Sequence, residues 1–237
     1  MLTICGNRFQ FGSLDFLIDV LSEICKNMST IHTQMQTLKA RAITCTDCAL
    51  AKTRANVVFG SGDAAAKLAI VAEGPSAADN HTTFPFSGPA GELLDEVLAA
   101  NGLTRSDIWL TNIIKCRAAG LKDGVLKNRP PKATEIKACA KWLDGELTLM
   151  QPSVILCMGA PAAKALIQRS FRITEERGIW FTDTQYAPFA MATFNPAYVL
   201  RQEGENFTLM RQIVIDDLAE AKRKLRETEE LPKLTLF

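Results

Sequence analysis

Five apolar residues, Leu68-Ala69-Ile70-Val71-Ala72, run without interruption and stop at Glu73-Gly74-Pro75. So short an apolar run reads as a buried strand. Gly and Pro then forbid regular continuation. The next residues form a polar loop with Asp79, Asn80 and His81, followed by an exposed-looking Phe84-Pro85-Phe86 and by Ser87-Gly88-Pro89-Ala90-Gly91, where a helix opens at about Gly91. A carboxylate and two phenylalanines on one loop at the carboxyl end of a strand make a site rather than a core. Ligands of open α/β sheets bind at that end.

The rest of the chain repeats this alternation. Strands are predicted at Ile108 to Ile114, Val154 to Met158, Ile179 to Thr182 and Phe189 to Thr193. Helices are predicted at Glu92 to Ala100, from about Thr134, at Ala162 to Ile167, and from Phe207 to about Glu227. Alternating strands and helices predict an α/β protein, a three-layer α/β/α sandwich with a mostly parallel central sheet. Ahead of it, Phe16, Leu17, Val20, Leu21 and Ile24 recur at helical spacing, and Ile31, Met35 and Leu38 continue after a break near Asn27. Residues 1–42 are therefore read as a helical packing extension, 43–227 as the main domain and 228–237 as a loose tail.

With 237 residues, 47% of them apolar, the chain is long enough for one α/β domain with an extension and a real core. No apolar run is long enough to cross a membrane. Met1-Leu2-Thr3-Ile4-Cys5 lacks the basic flank and apolar stretch of a signal peptide. A cytoplasmic location is expected. The net charge of +1 excludes a globally basic nucleic-acid binder, but not a local basic face. Such a face is suggested by Lys115, Arg117, Lys122, Lys127, Arg129, Lys132, Lys137 and Lys141 against only Asp123 and Glu135. A solvated charged surface is the bland alternative to phosphate contact there.

In that compartment seven cysteines suggest metal ligands or free thiols rather than disulfides. Cys45-Thr46-Asp47-Cys48 fits a redox pair, half of a zinc site, or two ligands of an iron–sulfur cluster. The redox reading is weak, because the pair follows a polar helical segment and precedes the strand-like Asn56 to Phe59. Cys116 and Cys139 lie beyond the first strand–loop–helix unit. Cys5, Cys25 and Cys157 are left over, and Cys157, inside an apolar strand, reads as a small buried hydrophobe.

Four stretches carry a resemblance to a known family. The order Glu73-Gly74-Pro75, then Asp79-Asn80, Pro85-Phe86, Gly88, Ala90-Gly91 and Leu93-Leu94 is similar to motif A of the uracil-DNA glycosylase superfamily. Thr111-Asn112-Ile113-Ile114-Lys115-Cys116 and Asn128-Arg129-Pro130-Pro131 resemble its middle motifs. Asn195-Pro196-Ala197-Tyr198-Val199-Leu200-Arg201 resembles motif B. The chain looks most like the iron–sulfur family numbered four, from Cys45 to about Lys222.

The resemblance implies a fold, a cofactor and roles. Cys45, Cys48, Cys116 and Cys139 match the ligands of a [4Fe–4S] cluster, with zinc the chemical alternative for four thiolates. Phe86 would stack on a base flipped from DNA. Asn112 would read its polar edge, Gly74 would let the backbone approach, and Ser76 would line the base site. Glu73 or Asp79 would serve the sugar cation or the attacking water, and Asn195 the departing base. Leu200 would be a wedge, and Arg201, Lys115, Arg117 and Arg129, with Lys127, would contact DNA phosphates. The implied activity is a DNA glycosylase of base-excision repair, acting as a monomer on DNA with no membrane partner.

Departures from the family pattern are Ser76 for Gly, Ala77 and Ala78 for larger or acidic residues, Asn80 for Asp, and Asn195 for His. Asn at the last position is found in the mismatch-specific branch. The trimmed positions imply uracil or a larger modified pyrimidine as substrate, the latter pointing to hypermodified phage DNA and a defence role. A catalytically inactive binder of modified or damaged DNA is the alternative. The segment Ala118 to Lys127 is longer than the family's usual form. It lacks the histidine of the subgroup that is trapped covalently on uracil-DNA, so no covalent trapping is expected.

Overall fold

A computed structural model describes the backbone of residues 2–4, 7–9 and 14–230, and the side chains of residues 28–228 other than Lys122. In chain order the elements are β1 (Leu2–Ile4), β2 (Asn7–Phe9), α1 (Leu14–Ala42), β3 (Ser61–Gly62), β4 (Leu68–Ala72), α2 (Ala77–Thr82), α3 (Pro89–Ala100), β5 (Trp109–Asn112), β6 (Ala119–Lys122), β7 (Val125–Asn128), α4 (Ala133–Met150), β8 (Val154–Met158), α5 (Ala160–Leu166), α6 (Ile173–Glu176), β9 (Phe181–Thr182), β10 (Phe189–Thr193), α7 (Pro196–Val199) and α8 (Gly204–Glu230).

Six strands form the central sheet in the order β3-β5-β4-β8-β10-β9. The inner four are parallel and the two short edge strands antiparallel. Successive residues of a strand face opposite sides, so β4 feeds two cores. Leu68, Ile70 and Ala72 join Leu94 and Leu98 of α3 and Leu218 of α8 on one side. Ala69 and Val71 join Trp142 and Leu147 of α4, Ala163 of α5 and Met35 of α1 on the other. The three α/β/α layers predicted from the apolar runs are thus present.

The connection from β4 runs to β5 on one side of it, and the chain then crosses back to β8 on the other. This reversal of strand order opens a crevice over the carboxyl ends of the strands.

Four local expectations change. α1 is continuous through Asn27. Residues 56–59 pair with no strand, although the Val58 amide donates to the Lys115 carbonyl at 2.7 Å. The polar loop around Asp79 is the short helix α2, closed by a capping box in which Ser76 and Asp79 bond each other's backbone N–H. The loop Ala118 to Lys127 is a β-hairpin. The chain is helical from residue 228 as far as Glu230, and residues 231–237, Cys5 and the Cys25 side chain lie outside the described parts. Among the described residues no helix is long and apolar enough to cross a membrane.

Candidate active site

A cavity of about 950 Å³ fills the crevice, lined by Glu73, Gly74, Ser76, Asp79, Phe86, Asn112, Arg129, Asn195 and Arg201 among others. All but Arg129, which follows β7, lie at or after the ends of β4, β5 and β10. Leu200, 40% exposed at the end of α7, stands outside this lining, as does Arg117.

Glu73 follows β4; its carbonyl accepts from the Ile114 amide at 3.3 Å, and its side chain makes no hydrogen bond or ion pair with the described residues. Burial raises its pKa above the ordinary glutamate value. Asp79 differs. Its Oδ2 accepts from the Ser76 amide at 2.9 Å and its Oδ1 from the Ser87 amide at 2.7 Å, and it is 4% exposed. Both oxygens take part in holding the loop, whereas the Glu73 carboxylate bonds none of the described residues. Gly74 is required by packing, because a Cβ there would lie 2.7 Å from Cγ1 of Ile114.

Phe86 is not the exposed aromatic that its loop suggests. It is 8% exposed and held at φ +56°, whereas Phe84 is 55% exposed. A left-handed backbone is costly for a bulky residue and persists only when its surroundings enforce it. The enforcing residue is Arg105, which sequence reasoning missed. Its Nη2 donates to the Phe86 carbonyl at 2.7 Å and its Nη1 to that of Pro85 at 3.0 Å. Asp95 fixes the guanidinium, with Nε to Oδ1 at 2.6 Å. Gly91 completes the seat, since a Cβ there would lie 1.7 Å from the Phe86 carbonyl oxygen.

Asn112 ends β5 and is 2% exposed. Its amide bonds to none of the described residues, yet it lines the cavity. Asn195 is more committed. Its Oδ1 caps α7 by accepting from the Ala197 amide at 2.9 Å, and its Nδ2 donates to the Met158 carbonyl at 3.2 Å. A primary amide carries two N–H bonds, so one donor remains.

Lys115 requires correction as a phosphate ligand. It is 1% exposed, and its Nζ bonds Glu146 Oε2 at 2.6 Å, Thr111 Oγ1 at 2.6 Å and the Asn112 carbonyl at 2.8 Å. The other Glu146 oxygen accepts from the Gly60 amide at 3.0 Å. This is a closed internal network, unreachable by DNA. Arg129 reaches the cavity but is paired to Glu135 through two bonds, and Lys127 faces Asp123 at 3.5 Å. Arg117 bonds Asn128 and the Leu126 carbonyl. Arg201 is exposed, its guanidinium 5.6 Å from the centre of the Tyr198 ring.

Behind the sheet ends, Cys45, Cys48, Cys116 and Cys139 line one small cavity with Arg54, Lys115 and Trp142. The Lys115 amide donates to Cys139 Sγ at 3.1 Å and Arg54 to Cys116 Sγ at 3.5 Å. Burial raises both thiol pKa values, that of Cys139 to about 11. The indole N–H of Trp142 is buried without a partner. Among the described residues no three His, Cys, Asp or Glu side chains are grouped closely enough to hold a single metal ion. Cys157 is fully buried in β8, where desolvation raises its thiol pKa strongly, as suits a packing residue.

An open, mostly parallel sheet with a cavity over its carboxyl ends is the architecture of an α/β protein that binds its ligand at the strand ends. Residues 59–219 match the Uracil DNA glycosylase superfamily, and the chain belongs to that family. Within it, the chain is 32% identical over 204 residues to the type-4 uracil-DNA glycosylase of Thermotoga maritima, covering 84% of this chain and 99% of that protein. It is 29% identical over 208 residues to the type-4 uracil-DNA glycosylase of Sulfurisphaera tokodaii, covering 84% and 86%. A type-5 uracil-DNA glycosylase of Thermus thermophilus is 28% identical over 185 residues, covering 71% and 80%.

Proposed function

We propose that the protein excises uracil from DNA by hydrolysing its N-glycosidic bond. The observation that carries this reading is Asn112, buried and lining the cavity with its amide unpartnered. An amide that opens on the cavity with no protein partner presents a donor and an acceptor, and the edge of a pyrimidine offers the complementary pair. Phe86 on the same lining would supply a stacking surface, and the free Asn195 N–H would meet the negative charge on the departing base. The C1′–N bond breaks with its electron pair leaving on the base. A water oxygen bonds C1′, and Glu73 accepts the water's proton. The raised Glu73 pKa favours that acceptance.

Larger modified pyrimidines are a second reading, supported by the small Ala77 and Ala78 side chains on the cavity wall.

The chemistry of the donor set fits a [4Fe–4S] cluster on Cys45, Cys48, Cys116 and Cys139. Four thiols surround one cavity, Arg54 and the Lys115 amide donate to sulfur, and the unpartnered Trp142 indole N–H belongs to a residue of the same lining. The cluster supplies no step of the hydrolysis. It would tie the Cys45–Cys48 segment to the chain following β5. Residues 43–227 would carry the machinery, with α1 as a packing extension.

The test is incubation with DNAs carrying uracil or bulky modified cytosines, scored for free base and alkali-labile sites. Excision of uracil, lost in Asn112→Ala while affinity for ordinary DNA persists, is the expected result. Protein that binds DNA but releases no base from any substrate would instead be an inactive binder.

A further inference from the structure

Beside the cavity stands the hairpin β6–β7, whose strands pair only with each other. Its register sets Ala119 opposite Asn128, Gly120 opposite Lys127, Leu121 opposite Leu126 and Lys122 opposite Val125. Asp123 and Gly124 turn the chain at φ +55° and +74°, the left-handed pair that a tight hairpin prefers. Directly opposed residues share a face and alternate ones share it too. Leu121 and Leu126 therefore lie on one face with Asn128, while Val125 lies on the other with Lys127.

That face is open. Leu121 is 77% exposed and Leu126 45% exposed. At its root it is continuous with the base cavity, because Ala118, Asn128 and Arg129 are part of the cavity wall. Its cationic neighbour Arg117 bonds Asn128 and the Leu126 carbonyl but no carboxylate. On the motif B side, Tyr198 and Arg201 also line the cavity, and the exposed Leu200 adjoins them. Apolar side chains beside arginines at two places bordering one cavity suit a DNA strand from which one nucleotide has been drawn out.

We propose that the Leu121–Leu126 face is a second wedge beside Leu200, pressing on the base stack next to the extruded nucleotide. This rests on the glycosylase reading above. Apolar wedges unstack a base step and hold the gap open. Single-stranded DNA has no paired stack to open, so the hairpin would matter only for duplex substrates.

The experiment uses the full-length, metal-loaded protein and the double variant Leu121→Ser/Leu126→Ser, with Val125→Ser on the opposite face as control. All three changes are at exposed positions, and thermal unfolding checks that the fold persists. The expected result is an unchanged rate on uracil in single strands and a fall of about tenfold on uracil paired with adenine, with Val125→Ser unaffected. A binding arm runs in parallel, using duplex with a 2-aminopurine beside a non-hydrolysable target nucleotide. The unmodified protein should raise its fluorescence and the double variant should not. Equal losses on single and double strands, an undiminished duplex rate, or unchanged fluorescence would overturn the wedge. So would a shift in sedimentation of the free double variant, which would mark the face as a contact between copies. If the unmodified protein excises uracil from neither substrate, the glycosylase reading fails, and the fluorescence arm alone decides for or against the hairpin.

Discussion

The Arg105 guanidinium holds the Phe86 carbonyl, Nη2 to oxygen, at 2.7 Å. It thereby fixes a phenylalanine in a backbone conformation that bulky side chains avoid. Arg105→Ala is expected to release this loop and to cost about 1–2 kcal/mol in stability, the worth of hydrogen bonds from a charged group at a half-exposed site. Excision should fall more than stability predicts, because the proposed stacking surface loses its position. Arg105→Lys should rescue little, since an ammonium cannot span two carbonyls and a carboxylate in one plane. Urea unfolding set beside single-turnover excision would separate the two effects, and a variant with full activity would remove Arg105 from this role.

Glu73 sets a pH expectation. Burial raises its folded pKa, so the carboxylate proposed to take a proton from water is lost on acidification earlier than for an ordinary glutamate. The acid limb of the rate profile should lie above the usual glutamate range, and Glu73→Gln should abolish that limb along with most of the rate. Stability should respond in the opposite sense. The ionised group opposes folding above its ordinary pKa, and this opposition is relieved as pH falls below the raised value. Glu73→Gln should thus unfold no more easily than the parent at neutral pH.

The Lys115–Glu146 pair gives a third expectation. Lys115→Ala should destabilise the protein by about 3–5 kcal/mol, because it leaves a buried carboxylate uncompensated. Lys115→Met/Glu146→Met should recover much of that loss. For variants that remain folded, the salt dependence of DNA binding should be unchanged. It should flatten instead when Arg117 and Arg201 are neutralised. A flattened slope in the lysine variants would return Lys115 to the DNA surface.

The cysteines give the fourth. Anaerobically purified protein should be brown and hold about four irons per chain. Cys116→Ala or Cys139→Ala should lose them, while Cys157→Ala should not. Colourless protein with one zinc per chain would reject the cluster.

What was legible in the sequence was what short-range signals encode. Gly and Pro after the apolar runs marked the strand ends at Glu73 and Asn195, and the alternation of strands and helices brought both to one cavity with Asn112. What was not legible depends on distant partners. A run of lysines looks like a DNA surface until a helix 31 residues further on supplies Glu146 to one of them. Arg105 acts on backbone carbonyls, which leave no trace in composition. Asp123-Gly124 was a readable hairpin signal, but the strands beside it are too exposed and too mixed in polarity to stand out.

The segment 112–118 bears on how such a protein could be dismantled. It begins at the large cavity with Asn112, passes through the internal network at Lys115, borders the cysteine cavity at Cys116 and returns to the large cavity at Ala118. No module boundary lies between the two cavities. A graft that moves base recognition into another scaffold has to carry this segment whole, together with the α4 residues Cys139, Trp142 and Glu146 that pack on it. Exchanging either cavity alone between relatives should yield chimaeras that fail at both.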